Sequence, residues 1–205
     1  MKIRAQGIES SDFQTSIDVV AADVRREHPD LRQHAAPDGT VTILFSDIEG
    51  STQMTERLGD QRWLSLLREH NRIVREQIAA HGGYEVKSQG DGFMIAFQSA
   101  RRALLCAVAI QRAFVARNRE HSEESLRVRI GLHAGEVIKE ADDFFGKNVI
   151  LAARIAAQAQ GGEILVSSLV KELTHSAGDV SFGDSCEVPL KGLSGAYTLY
   201  TVAWK

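Results

Sequence analysis

Apolar residues along this chain recur in two rhythms, and each change of rhythm marks an element. Val41 to Phe45 is a short apolar run rich in β-branched residues, the pattern of a buried strand. Beyond it the period lengthens. Met54 and Leu58, then Trp63, Leu66, Leu67, Ile73, Val74 and Ile78, fall on helix faces, with Gly59-Asp60 placed to interrupt and His81-Gly82-Gly83 to end the second helix. Residues 84–87 and 93–97 are predicted strands, joined by Ser88-Gln89-Gly90-Asp91-Gly92, a glycine-permissive hairpin turn. Ser99 can cap a helix carrying Ala103, Leu104, Ala107, Val108, Ile110 and Ala113.

The C-terminal half continues in kind. Residues 126–132 alternate as a strand, and the alanine-rich stretch 149–159 is helical, stopped by Gly161-Gly162. A short strand over 163–166, a helix over 167–173 and a turn plus strand over 190–202 close the chain. The order is β-α-β-β-α-β with additional C-terminal elements. It predicts an α+β fold with a ferredoxin-like βαββαβ core and helices against one sheet face. Residues 1–38 read as an N-terminal extension or linker, containing a short helix stopped at or before Pro29 and the linker-like HAAPDG. The domain proper occupies 39–205.

Composition narrows the class. The chain has 205 residues, 43% of them hydrophobic, enough for one sizeable core. Its 24 basic and 27 acidic residues give a net charge of -3 without a basic block, so no nucleic-acid groove is expected. Cys106 and Cys186 lack metal-ligand spacing and read as reduced thiols rather than a disulfide. No signal peptide and no apolar run long enough to cross a bilayer are seen, which predicts a soluble, cytoplasmic protein with no transmembrane segment.

Chemistry concentrates in two acidic signatures. Phe45-Ser46-Asp47-Ile48-Glu49-Gly50-Ser51-Thr52 follows the first strand, and Gly90-Asp91-Gly92 sits in the hairpin. A strand-end aspartate facing a hairpin aspartate can share hard metal ions, and backbone N–H groups before a helix can hold phosphates. Each aspartate alone would equally suit a helix cap or a turn. Together they point to metal-assisted chemistry on a phosphorylated substrate.

These blocks, with VKSQGDG at 86–92, RIGLHAGE at 129–136, DFFGKNVILAARI at 143–155 and LKGLSG at 190–195, resemble the catalytic domain of class III nucleotidyl cyclases, most like a bacterial adenylyl cyclase. The resemblance runs over about residues 40–203 and implies conversion of ATP to 3′,5′-cyclic AMP and pyrophosphate. By resemblance, Asp47 and Asp91 bind two divalent cations, Mg²⁺ or Mn²⁺. Ile48, Glu49, Gly50, Ser51 and Thr52 form the phosphate loop, with Glu49 read as a solvated side chain pointing away from the phosphates. Lys87 and Asp143 read adenine, a hydrogen-bond sense that disfavours guanine. Arg154 stabilises transition-state charge, and Arg129 and Lys191 are further triphosphate contacts. His133 reads as a structural residue or as a support behind the site, and a single histidine here makes no metal site.

One position departs from the family. Ile150 stands where an asparagine usually orients the ribose, which predicts slower turnover, and Asn148, two residues away, would face elsewhere on a helix. The resemblance also implies a head-to-tail homodimer with two shared sites, since one chain carries both half-site sets. Three alternatives stay open: a degenerate nucleotide-binding regulator, a guanylyl cyclase, and a ligand-free dimerising module.

Overall fold

The computed structural model describes residues 15–136 and 142–205, with side chains from residue 146 onward in the second span. Its centre is a seven-stranded sheet in the order β2-β3-β1-β4-β5-β7-β6. The strands are β1 (Thr40–Ile48), β2 (Tyr84–Gln89), β3 (Gly92–Phe97), β4 (Val128–Glu136), β5 (Ile164–Ser167), β6 (Ser181–Pro189) and β7 (Ala196–Ala203). β1 runs antiparallel to both β3 and β4, whereas β4 and β5 are parallel. The expected ferredoxin-like core is therefore present as β2-β3-β1-β4, extended on the β4 side by three further strands.

The helices are α1 (Ser16–Glu27), α2 (Ser51–Leu58), α3 (Asp60–His81), α4 (Ala100–Glu120), α5 (Asp142–Gln158) and α6 (Ser168–Thr174). They cover both faces of the sheet, which corrects the expectation of one covered face. β1 explains the difference, because every residue from Val41 to Ile48 is buried. Leu44 and Ile48 pack with Leu66, Ile73, Val74, Leu104, Ala107 and Phe114 of α3 and α4. Val41, Ile43 and Phe45 point the other way and pack with Ile17, Val20 and Val24 of α1 and with Val149, Ala152, Ala153 and Ala156 of α5. A strand apolar on both faces needs a layer on each side.

The predicted N-terminal helix forms, but it is no loose extension. Thr15 and Asp18 close a capping box at its start, His28 ends it in a left-handed turn ahead of Pro29, and its apolar stripe is buried in the body of the molecule. Residues 34–39, read as a linker, lie against the same body, with His34 stacked on Tyr84 at a ring-centroid distance of 3.6 Å.

Two elements departed from the sequence reading. β6 was not anticipated, because as an edge strand it carries mostly exposed polar residues and a register shift between Phe182 and Ser185. α5 begins at Asp142, seven residues earlier than the alanine-rich stretch suggested. The close approach of α5 to β4 depends on Gly131, where a Cβ would lie 2.2 Å from the Ala156 backbone nitrogen. Among the described residues no helix is long and apolar enough to cross a membrane. Cys106 is buried, Cys186 is half-buried, and both are free thiols.

Candidate active site

Strand geometry brings the two acidic signatures together. Asp47 sits near the C-terminal end of β1 and is almost wholly buried. Asp91 occupies the turn between β2 and β3, the hairpin that pairs with β1. The Ile48 N–H donates to Asp91 Oδ2 at 2.9 Å, fixing the hairpin turn against the end of β1. Burial pushes the Asp47 carboxyl up to about 6 even though Arg129 pulls it down, and the neighbouring Asp91 charge adds to the rise.

Arg129 is Asp47's cross-strand neighbour on β4. Its Nε and Nη2 donate to the two carboxylate oxygens at 2.5 and 2.8 Å. The residue read as a triphosphate contact is thus the counter-charge of the first aspartate. Two carboxylates, one desolvated and the other anchored by a backbone N–H, form an all-oxygen donor set that suits Mg²⁺ or Mn²⁺, metals that take one or two protein carboxylates and complete their shell with phosphate and water. Among the described residues no group of three or more His, Cys, Asp or Glu side chains gathers as a metal site, so Asp47 and Asp91 stand as a pair.

The phosphate loop divides into used and open groups. The Ile48 N–H serves Asp91, and the Glu49 N–H donates to the Arg127 carbonyl at 2.8 Å. Gly50 takes a left-handed conformation at φ 71° to start α2, and no side chain caps that helix. Ser51 and Thr52 open α2 on a cleft of about 250 Å³, lined also by Thr55, Glu56, Trp63, Leu67, Gly90 and Asp91. Glu49 does point away from this cleft, but it is not free in solvent. Its carboxylate accepts from the Gly161 N–H at 2.9 Å and pairs with Arg127 at 3.3 Å, pinning the turn before β5.

Lys87 and Arg154 lie on the face that α1 covers. Lys87 on β2 donates to Glu27 at 2.6 Å and lies 3.9 Å from Asp23. Arg154 on α5 donates from Nη1 to Asp18 at 2.5 Å and from Nε to the Lys191 carbonyl at 3.1 Å. Burial by itself would raise the Asp18 carboxyl, but its bonds from Arg154 and Thr15 hold it below the usual range. Ser16 donates to Asp91 Oδ1 at 2.5 Å. The Lys191 side chain is exposed. Asp143 lies in the first turn of α5, and its side chain is outside the described residues.

Ile150 is half-buried beside a second cleft of about 390 Å³, bordered by Arg25, His28, Lys147 and Leu193. Asn148 does not stand in for the missing asparagine. Its amide is bonded to His133 Nε2 at 3.2 Å and to the Glu136 carbonyl at 2.9 Å. His133 also meets the Ser167 hydroxyl at 2.9 Å and is buried.

Four residues of this site escaped the sequence reading: Ser16, Asp18, Asp23 and Glu27. The Thr15-x-x-Asp18 capping pattern marked their helix. Nothing local linked them to partners 60 to 136 residues away.

Comparison with known proteins identifies the family. Residues 34–203 match the family of the adenylate and guanylate cyclase catalytic domain. An adenylate cyclase of Podospora anserina is 33% identical over 198 residues, covering 78% of this chain but only 9% of the fungal protein. Among solved structures, the adenylyl cyclase CyaB from P. aeruginosa superposes with a TM-score of 0.70 at 25% identity, over 80% of this chain and 93% of that one. The guanylyl cyclase Cya2 gives a TM-score of 0.70 at 29% identity, over 80% and 91%. With the family model spanning most of its length and the paired aspartates lying where the sheet brings them together, the chain belongs to the adenylate and guanylate cyclase catalytic domain family.

Proposed function

We propose that this domain is an adenylyl cyclase, converting ATP to 3′,5′-cyclic AMP and pyrophosphate within the cytoplasm. The observation that carries the reading is that Asp91 and the uncapped start of α2 line one cleft, with Asp47 buried close to Asp91 at the end of β1. In the reaction the ribose 3′-oxygen forms a bond to the α-phosphorus, the bond from that phosphorus to the α,β-bridging oxygen breaks, and pyrophosphate leaves. The hydroxyl proton passes to water.

Asp47 and Asp91 would hold two Mg²⁺ or Mn²⁺ ions, which supply Lewis acidity toward the 3′-hydroxyl and the phosphates. The N–H groups at Gly50, Ser51 and Thr52 would orient the β- and γ-phosphates. Arg129, now bound to Asp47, would keep that carboxylate aligned and add positive charge near the triphosphate, and Lys191 would contribute a further cation. Arg154 would meet the charge developing on the α-phosphoryl group and the leaving pyrophosphate. Lys87 would donate to a ring nitrogen of adenine and Asp143 accept from its amine, so guanine would leave both unpaired.

Lys87 and Arg154 reside on the α1 side of the sheet, on elements other than those that form the phosphate cleft. This arrangement supports a two-fold homodimer in which one protomer brings the aspartates and its partner brings Lys87, Asp143 and Arg154.

Ile150 favours a second reading, a nucleotide-binding regulator with little turnover, because no asparagine takes over its place. The structural likeness to a guanylyl cyclase keeps GTP as a competitor for the substrate role. The experiment is incubation with ATP, with GTP and with both, in Mg²⁺ or Mn²⁺, and chromatography of the products. Equal amounts of cyclic AMP and pyrophosphate, lost in Asp47→Ala, support the adenylyl cyclase. Cyclic GTP product in the mixture points to guanylyl cyclase, and nucleotide binding without product points to the regulator.

A further inference from the structure

One helix carries a polar partner for each of three groups that the proposed reaction needs. Ser16 donates to Asp91, Asp18 accepts from Arg154, and Glu27, with Asp23 behind it, accepts from Lys87. Ser16 and Glu27 are the two ends of α1, so the helix spans about 16 Å from the metal-binding carboxylate to the base-reading lysine. These are bonds across 75, 136 and 60 residues of sequence, not local accidents of a loop.

The chemistry of each contact imitates what the site would otherwise hold. Two cations that would face a phosphate and a purine ring face carboxylates. An aspartate that would face a metal ion accepts from a hydroxyl. The helix backbone also fills the space beside the hairpin, where a Cβ on Gly92 would lie 2.9 Å from the Ser16 carbonyl carbon. Beneath these polar contacts Ile17, Val20 and Val24 are buried against Ile43, Phe45, Met94 and Val149. The docking is therefore specified by an apolar stripe as well as by charge.

We propose that α1 is an intramolecular plug, which must leave its seat before a second copy of the chain and the nucleotide can engage Lys87, Arg154 and Asp91. The inference rests on the cyclase reading above. In a shared-site dimer Arg154 and Lys87 serve the partner's site and Asp91 serves the chain's own, so one helix closes both half-sites. Undocking exposes an apolar face that water does not favour. A second copy laid over that face replaces the lost burial, which makes plug docking and dimer formation competing outcomes of one equilibrium.

The test uses the full chain with Asp18→Asn and Glu27→Gln together, which removes two carboxylate charges while the asparagine can still accept at the helix start. Glu27→Gln alone, at a half-exposed side chain, serves if the double variant folds poorly. Three quantities are read in wild type and variant: cyclic nucleotide formed at several protein concentrations, dimer fraction by sedimentation, and hydrogen exchange over residues 16–27 with and without ATP and Mn²⁺. The expected result is faster exchange in α1 on adding Mn²⁺ and ATP, and in the variant a dimer formed at lower concentration with roughly tenfold higher turnover where protein is limiting. A wild type that turns over with α1 protection unchanged, matched by the variant, overturns the plug and leaves the cyclase reading standing. Loss of α1 protection in a folded variant that neither binds nor converts Mn²⁺-ATP overturns the cyclase reading and the plug with it.

Discussion

Arg129 grips both carboxylate oxygens of Asp47 from the neighbouring strand, at 2.5 and 2.8 Å, with the Asp47 side chain 3% and the Arg129 side chain 18% exposed. The pair is nearly out of water, so its partners stabilise each other chiefly by preventing an unpaired buried charge. Arg129→Met should therefore destabilise the fold by on the order of 3 kcal/mol in denaturant unfolding. Added Mn²⁺ should recover more stability in this variant than in wild type, because the cation takes the place of the guanidinium. Unchanged stability, or an equal response to Mn²⁺, would show that Arg129 is not the counter-charge.

Gly131 sets the distance between the strand that carries Arg129 and the helix that carries Arg154. A Cβ there would lie 2.2 and 2.4 Å from backbone atoms of Ala156, and backbone cannot swing aside as a side-chain tip can. Gly131→Ala should cost about 3 kcal/mol or more by overpacking and lower turnover at temperatures where the variant remains folded. A thermal melt and a rate measured on the same sample check both. A fully active variant with wild-type stability would mean that α5 can lift off β4 freely.

The shared-site dimer predicts complementation. Asp47→Ala and Arg154→Ala should each be inactive alone. After subunit exchange in an equal mixture, half the dimers are mixed and each has one intact site, so activity should return to about a quarter of the wild-type rate. Two folded, exchanging variants that never complement would place the whole site within one chain.

Ile150→Asn restores a donor at the position where the family orients ribose. If the site is otherwise competent, kcat should rise about tenfold, equivalent to about 1.4 kcal/mol of transition-state stabilisation, with little change in KM. A variant no faster than wild type would show that the missing amide does not limit the reaction.

His133 makes the fold sensitive to acid. Burial pushes its imidazole down to about 4, although its contact with Asn148 acts in the opposite sense. Its facing groups, the Ser167 hydroxyl and the Asn148 amide, are neutral. Since the unfolded chain takes up the proton first, His133's contribution is fully present above about 6.5 and falls away as the pH drops toward 4, by on the order of 3 kcal/mol. Denaturant unfolding at pH 7 and pH 4.5 should show a smaller loss in His133→Gln than in wild type. Asp47 works against this loss, because its raised carboxyl pKa favours the folded state over the lower part of the same window. Equal losses in the two proteins would remove His133 as the acid-labile group.

The ferredoxin-like order and the chemical blocks were readable because each rests on local rules. β-branched runs, helical periods and glycine turns specify β1, α3 and the β2–β3 hairpin within a few residues. Asp47 and Asp91 stood out because they sit at a strand end and in a hairpin turn, where carboxylates can converge. β6 was missed because it is mostly exposed and its register shifts between Phe182 and Ser185, which breaks the alternation a half-buried strand would show.

The sequence by itself determined the family, the order of the core and the two aspartates, since these follow from local periodicity and from short blocks of fixed spacing. Tertiary structure alone decided that Arg129 neutralises Asp47, that Asn148 is spent on His133, and that Ser16, Asp18 and Glu27 stand against Asp91, Arg154 and Lys87. Those pairings join residues 15 to 136 positions apart. The first two follow from the packing of β1, β4 and α5, and the last three arise only when α1 is drawn onto the second face of the sheet to cover Ile43 and Phe45.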